Sequence, residues 1–328
     1  MTNKILVTGV RVLLSFGLLA LLWWRAPEFE FGDLVPEWST ATGLWLLGAV
    51  VLSLLSVVVS AWRWKQTAVA VHLHAGLWPL TRDYFAGQFV SNALPTTIGG
   101  DVLRIARLSK YTGQTERSAA SVVIERMTGW IVLPAMTVLG FLVAPRLAGL
   151  GRGPLLALAI AAITLGGLIA VLYAASHPRV GGRYADRDGW QRFIHSVHLG
   201  VVELRGNPSQ AARILAVAFL YQAILVVAAW MAARVIDIPQ LGLREMIAFF
   251  PAIAIVQVLP IAIGGIGVRE SWFVVFLQAL GTTHPEPKAV SLGILLYLLT
   301  LVASLPGALT FVTGVRAQES ATVNSPGP

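Results

Sequence analysis

Apolar positions along the chain gather into long runs separated by short polar interruptions. Six runs reach the length that a helix needs to cross a bilayer: residues 5–24, 42–62, 120–144, 153–176, 211–233 and 289–314. A crossing takes about 20 predominantly apolar residues. Two further pairs of segments have helical patterning but are too short and interrupted to cross comfortably: 78–93 with 101–111, and 244–258 with 266–281. Each pair is divided by Leu-Pro followed by Gly-Gly. Proline removes a backbone donor and restricts the residue before it, so helix 78–93 and helix 244–258 are each expected to end there. Half-helix, break and half-helix back to the same side make a re-entrant hairpin. Non-helical backbone at membrane depth survives only when it is packed in protein or lines a wet cavity.

The two breaks are written in nearly the same words. "LPTTIGGDVLR" runs from Leu94 to Arg104 and "LPIAIGGIGVR" from Leu259 to Arg269, identical at six of eleven positions and offset by 165 in a chain of 328 residues. Each half then reads span, span, hairpin, span. Three full spans is an odd number, so the second half enters the membrane inverted and its hairpin dips from the opposite face. Inverted repeats with broken helices mark transporters, whose substrate site lies between the repeats near the midplane. The expectation is an all-α polytopic membrane protein of six spans and two re-entrant hairpins, with eight ordinary spans as the alternative. The first repeat covers 1–150, the second 151–314, and residues 315–328 form a polar tail expected to be disordered.

Composition agrees with a membrane chain: 56% hydrophobic and 12% charged, against roughly 25% charged in soluble domains. Cysteine is absent, so there is no disulfide framework and no thiolate chemistry. The net charge of +8 is read as cytoplasmic loops rich in Lys and Arg rather than as a nucleic-acid surface. With the N-terminus inside, seventeen of the 24 basic residues fall on the cytoplasmic side. Both termini are then cytoplasmic, in an inner (plasma) membrane. The N-terminal run ends "LLWWRAPEFE" without a small-residue cleavage site, so it is taken as a retained first span rather than a signal peptide. Trp23 and Trp24, and Trp62 and Trp64, are read as interfacial belts. The stretch from 177 to 210 is basic and amphipathic, suited to lying along the inner membrane surface.

Chemistry concentrates at the breaks. Gly99, Gly100, Gly264 and Gly265 leave backbone amides uncovered at a helix start, where the dipole favours an anion; they equally let the hairpin arms pack closely. Arg104 and Arg269 occupy equivalent positions one turn into the returning arms. Buried guanidinium groups are costly in a membrane and are read as functional by default, with a fork suited to phosphate oxygens. Asp101 precedes Arg104 by three residues and Glu270 adjoins Arg269, so each acid can balance its arginine in an empty site or form a purely structural pair. In "VIERMTGW", Glu125 and Arg126 are adjacent on a helix and so face different partners. Glu125 can accept from Arg104 or Arg107, and Arg126 either joins the site or snorkels to the interface. Asn92 and Gln257 precede the two breaks in register, and Pro95 and Pro260 are the breaks themselves. His72 and His74 lack nearby acidic or third-histidine company, so no metal site is expected. No phosphate-binding loop, nucleophile elbow or zinc-protease motif occurs, and no cofactor or catalytic residue is implied.

The stretches "LPTTIGGDVLRIARL", "VIERMTGW" and "LPIAIGGIGVRES" resemble the three signature regions of the lysylphosphatidylglycerol synthase transmembrane-region family, also called flippase-like domain proteins. The resemblance runs over about residues 10–315, and its most specific part is Gly264–Glu270. Family members usually carry Asp four residues after the Glu of the middle motif, where this chain has Gly129. In fused members, the membrane domain is implicated in moving aminoacylated phospholipid between leaflets, and a soluble domain makes that lipid. These 328 residues hold no such domain, so the resemblance implies a carrier rather than a synthase. Stand-alone members are linked to glycolipid, polyprenyl-phosphate or hopanoid pathways.

The expected function is movement of an amphipathic lipid with a phosphate-bearing headgroup. Arg104, Arg269, Asn92, Gln257 and the four glycines would contact substrate, and Asp101, Glu125, Glu270 and Arg126 would balance charge or carry protons. The partners are membrane lipids, with a second copy or a lipid-biosynthesis enzyme as further candidates. An ion-coupled carrier of a small soluble anion and an accessory subunit are the other readings.

Overall fold

The computed structural model describes residues 38–93, 99–175, 202, 204–258 and 265–323. The expected span at 5–24, the breaks at Pro95 and Pro260 with Gly264, and most of the 177–210 stretch lie outside the described residues. Among those described there are nine α-helices, one short 3-10 helix (Pro145–Gly149) and no strand. The helices are α1 (Thr40–Ala70), α2 (Leu77–Ala93), α3 (Gly99–Thr112), α4 (Thr115–Val143), α5 (Arg152–Ala175), α6 (Pro208–Val235), α7 (Leu243–Val258), α8 (Val268–Ala279) and α9 (Pro285–Val323).

Five of these are long and apolar enough to cross a membrane: α1, α4, α5, α6 and α9. Local signals set several ends. Ser39 caps α1 by accepting the Thr42 N–H at 3.1 Å, and Asn207 caps α6 by accepting the Gln210 N–H at 3.1 Å ahead of Pro208. Each supplies an acceptor to a helix start whose amides otherwise lack one. At α8 the Glu270 carboxylate reaches back to the Gly267 N–H at 2.7 Å, and Gly267 has φ of 83°, a left-handed conformation that glycine adopts without penalty. At the chain end, α9 extends to Val323.

The remaining four helices are short: 17, 14, 16 and 12 residues for α2, α3, α7 and α8. Even the longest reaches only about 25 Å, below the roughly 30 Å of a hydrocarbon core. They pair as two folded-back hairpins. In the first, α2 and α3 run antiparallel, with Asp83 meeting Arg107 and Gly87 meeting Gly100. A Cβ on Gly100 would strike the Gly87 carbonyl and the Ser91 hydroxyl, so the close approach requires glycine. In the second, Gln257 covers Gly265 while Phe249 stacks on Phe276 with centroids 4.1 Å apart. Each hairpin packs on the long helix that follows the other. Gly140 of α4 sits on the backbone of Ala248 in α7, and Gly307 of α9 sits on the carbonyl of Phe85 in α2.

The most extensive helix pair is α1 with α6, antiparallel, with Trp45 edge-on to Trp230 at 5.2 Å near one end and Gln210 donating to the Gln66 carbonyl near the other. At the opposite extreme, α5 is only 11% buried over its most apolar stretch, and Ile163 is 74% exposed. Such a helix is stable when lipid solvates its side chains. The chain is thus a helical, multi-pass membrane protein.

Candidate functional site

Two chambers lie among the described helices. The first encloses about 330 Å³ and is bordered by α1, α2, α3, α4, α6 and α7; the second encloses about 290 Å³ and is bordered by α1, α2, α6, α7, α8 and α9. They share a wall of Gln88, Tyr221, Leu225, Phe250 and Gln257.

The first chamber is built around Glu125, which is 1% exposed. Its Oε1 accepts from Arg63 Nε at 3.1 Å and from Tyr84 Oη at 3.2 Å, and Arg63 Nη2 also donates to it. Its Oε2 accepts from Arg104 Nη2 at 3.0 Å. Arg104 also donates to Asp101 at 3.3 Å, and Asp101 accepts from Arg126 Nε at 2.8 Å. One carboxylate therefore joins α1, α2, α3 and α4. Aromatic faces complete the setting: the Arg104 guanidinium lies 4.3 Å from Trp64 and 4.1 Å from Tyr84, and that of Arg63 lies 4.8 Å from Tyr221. Such stacking suits guanidinium, whose weak hydration tolerates a flat apolar neighbour.

Of the residues expected from sequence, the structure brings Gly100, Asp101, Arg104, Glu125 and Arg126 together at this chamber. Glu125 and Arg126 turn to different partners, as adjacent helix positions do. Arg107, the other partner considered for Glu125, instead donates to Asp83 at 3.0 Å. Gly99 begins α3 without lining either chamber. The second chamber receives Asn92, Gln257 and Arg269. Here Arg269 donates to the Glu270 carboxylate beside it from Nε at 3.1 Å and Nη2 at 2.8 Å, and Asn92 Nδ2 donates to the Thr300 carbonyl at 3.4 Å. Gly265 adopts φ of 73° against the Gln257 side chain. Glu270 packs against Gly293 of α9 and lines neither chamber.

Sequence reasoning missed Arg63, Tyr84 and Tyr221. It also misplaced Trp64. Trp62 is 39% exposed and fits a belt, but Trp64 is fully buried and donates from Nε1 to Ser121 Oγ at 3.1 Å. The helix continues to Ala70, a further two turns beyond the predicted end of the span, so what resembled a membrane boundary is packed interior. The available signal was the alternation in "WRWK": on a helix whose neighbours bury one face, Arg63 and Trp64 cannot both face water.

Three side-chain donors at the first chamber have no acceptor among the described residues: Arg63 Nη1, Arg104 Nε and Gln222 Nε2. Buried donors of this kind are uncommon in folded proteins. Among the described residues no group of three or more His, Asp or Glu is placed to hold a metal. The arrangement offers positive charge and unmet N–H groups, so what it can do chemically is bind an anion. A search of curated proteins gives no match to this chain. The model of the family described as lysylphosphatidylglycerol synthase TM region matches residues 7–309, nearly the whole of the 328-residue chain, and the protein belongs to that family.

Proposed function

We propose that the protein carries a lipid between leaflets, its anionic headgroup passing through the two chambers while the acyl chains stay in the bilayer. The observation that carries this reading is the pair of adjoining chambers that share partly polar lining residues, each with a buried arginine that follows a Gly-Gly pair in sequence. Buried ionisable groups inside a membrane protein are expensive and mark substrate paths. Arg104 receives the headgroup on one side of the wall and Arg269 on the other. Gln88, Tyr221 and Gln257 offer hydrogen bonds during passage.

The reciprocal packing of the hairpins, each on the long helix that follows the other, supports two inverted repeats with re-entrant hairpins dipping from opposite faces. The termini are then cytoplasmic in the inner membrane. Lateral access is supported by Trp130 and Arg126 on α4, which line the first chamber; Trp130 is 42% exposed and the Arg126 side chain 49%. A carrier of soluble anions needs a chamber closed to the lipid phase. Asp101, Glu125 and Glu270 are each held by arginine, which favours downhill exchange over proton coupling. The role proposed is that of a carrier rather than a catalyst.

The test is leaflet exchange of a fluorescent anionic phospholipid in vesicles, comparing wild type, Arg104→Ala, Arg269→Ala and protein-free controls. Wild type should exceed the control severalfold and both variants should fall toward it. Exchange no faster than in protein-free vesicles removes the reading.

A further inference from the structure

The first chamber has an unbalanced charge and an opening beside it. Arg63, Arg104 and Arg126 line it against Asp101 and Glu125, so three guanidiniums face two carboxylates and one positive charge remains. Two donors of that set, Arg63 Nη1 and Arg104 Nε, have no acceptor among the described residues, although Arg63 and Arg104 are only 5% and 3% exposed. Each arginine has a carboxylate partner and Arg126 is half exposed, but buried donors left unmet are costly, which makes the surplus a demand for an anion. Gly129 explains why the demand is unmet from within. A Cβ built there would lie 3.6 Å from Arg63 Nη1 and within 4 Å of no other atom outside its own turn. Position 129 is where an acidic side chain would answer Nη1, and glycine leaves that space to the chamber.

We propose that Arg63, exposed to the chamber by Gly129, is a headgroup ligand, and that the site selects a phosphodiester bearing a single negative charge over a doubly charged phosphomonoester. A diester phosphate has two non-bridging oxygens for the two unmet guanidinium donors and one charge for the one surplus. The chamber of about 330 Å³ is far larger than a bare carboxylate fills and suits a headgroup, with Gln222 Nε2 left for its remaining oxygens. A phosphomonoester, whose second pKa is about 6, carries close to two charges at alkaline pH and would leave one of them buried and unmatched. The inference deepens the lipid reading above and rests on it for the source of the phosphate.

Short-chain phosphatidylmethanol and phosphatidic acid differ by one methyl group and one charge. Their binding to the detergent-solubilised protein at pH 8 is followed by tryptophan fluorescence, Trp130 lining the chamber and Trp64 stacking on Arg104. Phosphatidylmethanol should bind at least about tenfold more tightly. Gly129→Asp should weaken its binding by about tenfold or more while holding or raising the melting temperature, because Nη1 gains an acceptor. The neutral isostere Gly129→Asn should retain most of the affinity. A merely structural glycine would give the reverse, a lower melting temperature with affinity unchanged, and that result overturns the proposal. So does equal or tighter binding of phosphatidic acid. Dimethyl phosphate tests the source: weak competition supports a lipid headgroup, whereas competition as strong as the lipid's supports the charge rule with a soluble anion and removes the lipid reading. Loss of leaflet exchange with the charge preference intact removes translocation alone.

Discussion

Arg104 and Arg269 stand at the same place in the same phrase, yet they keep different company. Arg104 joins Glu125 and Asp101 across two helices, stacks on Trp64 and Tyr84, and keeps one donor unmet. Arg269 binds the carboxylate next to it in sequence, and that carboxylate also holds the Gly267 N–H at the start of α8. The difference comes from where the acids fall. In the first copy Asp101 follows Gly-Gly directly, in the second that position is Ile266, and the acid comes after the arginine as Glu270. A repeat therefore conserves the place of a cation without conserving its network. The first copy builds a shared, unsaturated site, and the second builds a closed local pair beside a chamber.

The largest effect should come from removing the acid in each network. Glu125→Gln leaves two buried guanidiniums without their carboxylate and should cost about 3–5 kcal/mol, the range for breaking a buried pair. Glu270→Gln leaves one, and glutamine at the third helical position still reaches back to the Gly267 amide, so roughly half that loss is expected. Thermal unfolding in detergent reads both. Equal losses would mean that the shared and local networks do not differ in the way their geometry implies.

Glycine substitutions should act next. A methyl group on Gly100 meets the Gly87 carbonyl, which is backbone and cannot turn aside, so Gly100→Ala should cost about 2–3 kcal/mol, as overpacking does. At Gly265 the obstacle is the movable Gln257 side chain and the positive φ, so Gly265→Ala should cost about 1–2 kcal/mol. It should also slow leaflet exchange more than Gly100→Ala does per unit of stability lost, because Gln257 belongs to the wall between the chambers. The two melting shifts and two exchange rates decide this. A larger loss at Gly265 would place the tighter packing in the second hairpin.

These contrasts follow how far the sequence could be read. Five of the six span positions and the short helices flanking each Pro-Gly phrase were legible because each rests on local pattern: apolar length and a helix-breaking pair. Arg63 was not legible. It lies 62 residues from Glu125, and its sequence surroundings of Trp62, Trp64 and Lys65 match those of an interfacial anchor. Only the packing of α1 against α4 and α6 turns it inward. The same holds for the wall, where Tyr221 comes from α6 and Gln88 from α2. The sequence departure at Gly129 was visible, but its consequence was not, because it depends on a side chain from another helix.

The smallest effect on stability, and the sharpest test of the comparison, belongs to Asp101. Of its two partners Arg126 is half exposed and Arg104, though buried, keeps Glu125, so Asp101→Asn should cost only about 1 kcal/mol. Asparagine keeps one oxygen to accept from one of the two arginines while raising the surplus in the chamber from one positive charge to two. The preference for a singly charged headgroup should therefore weaken or invert, with phosphatidic acid gaining on phosphatidylmethanol at pH 8. Gly129→Asp moves the surplus the other way, to zero, and should depress both ligands, the diester included. If instead Asp101→Asn and Gly129→Asp shift the ratio of the two affinities in the same direction, the chamber does not count charge. The difference between the first and second hairpins would then concern folding rather than substrate.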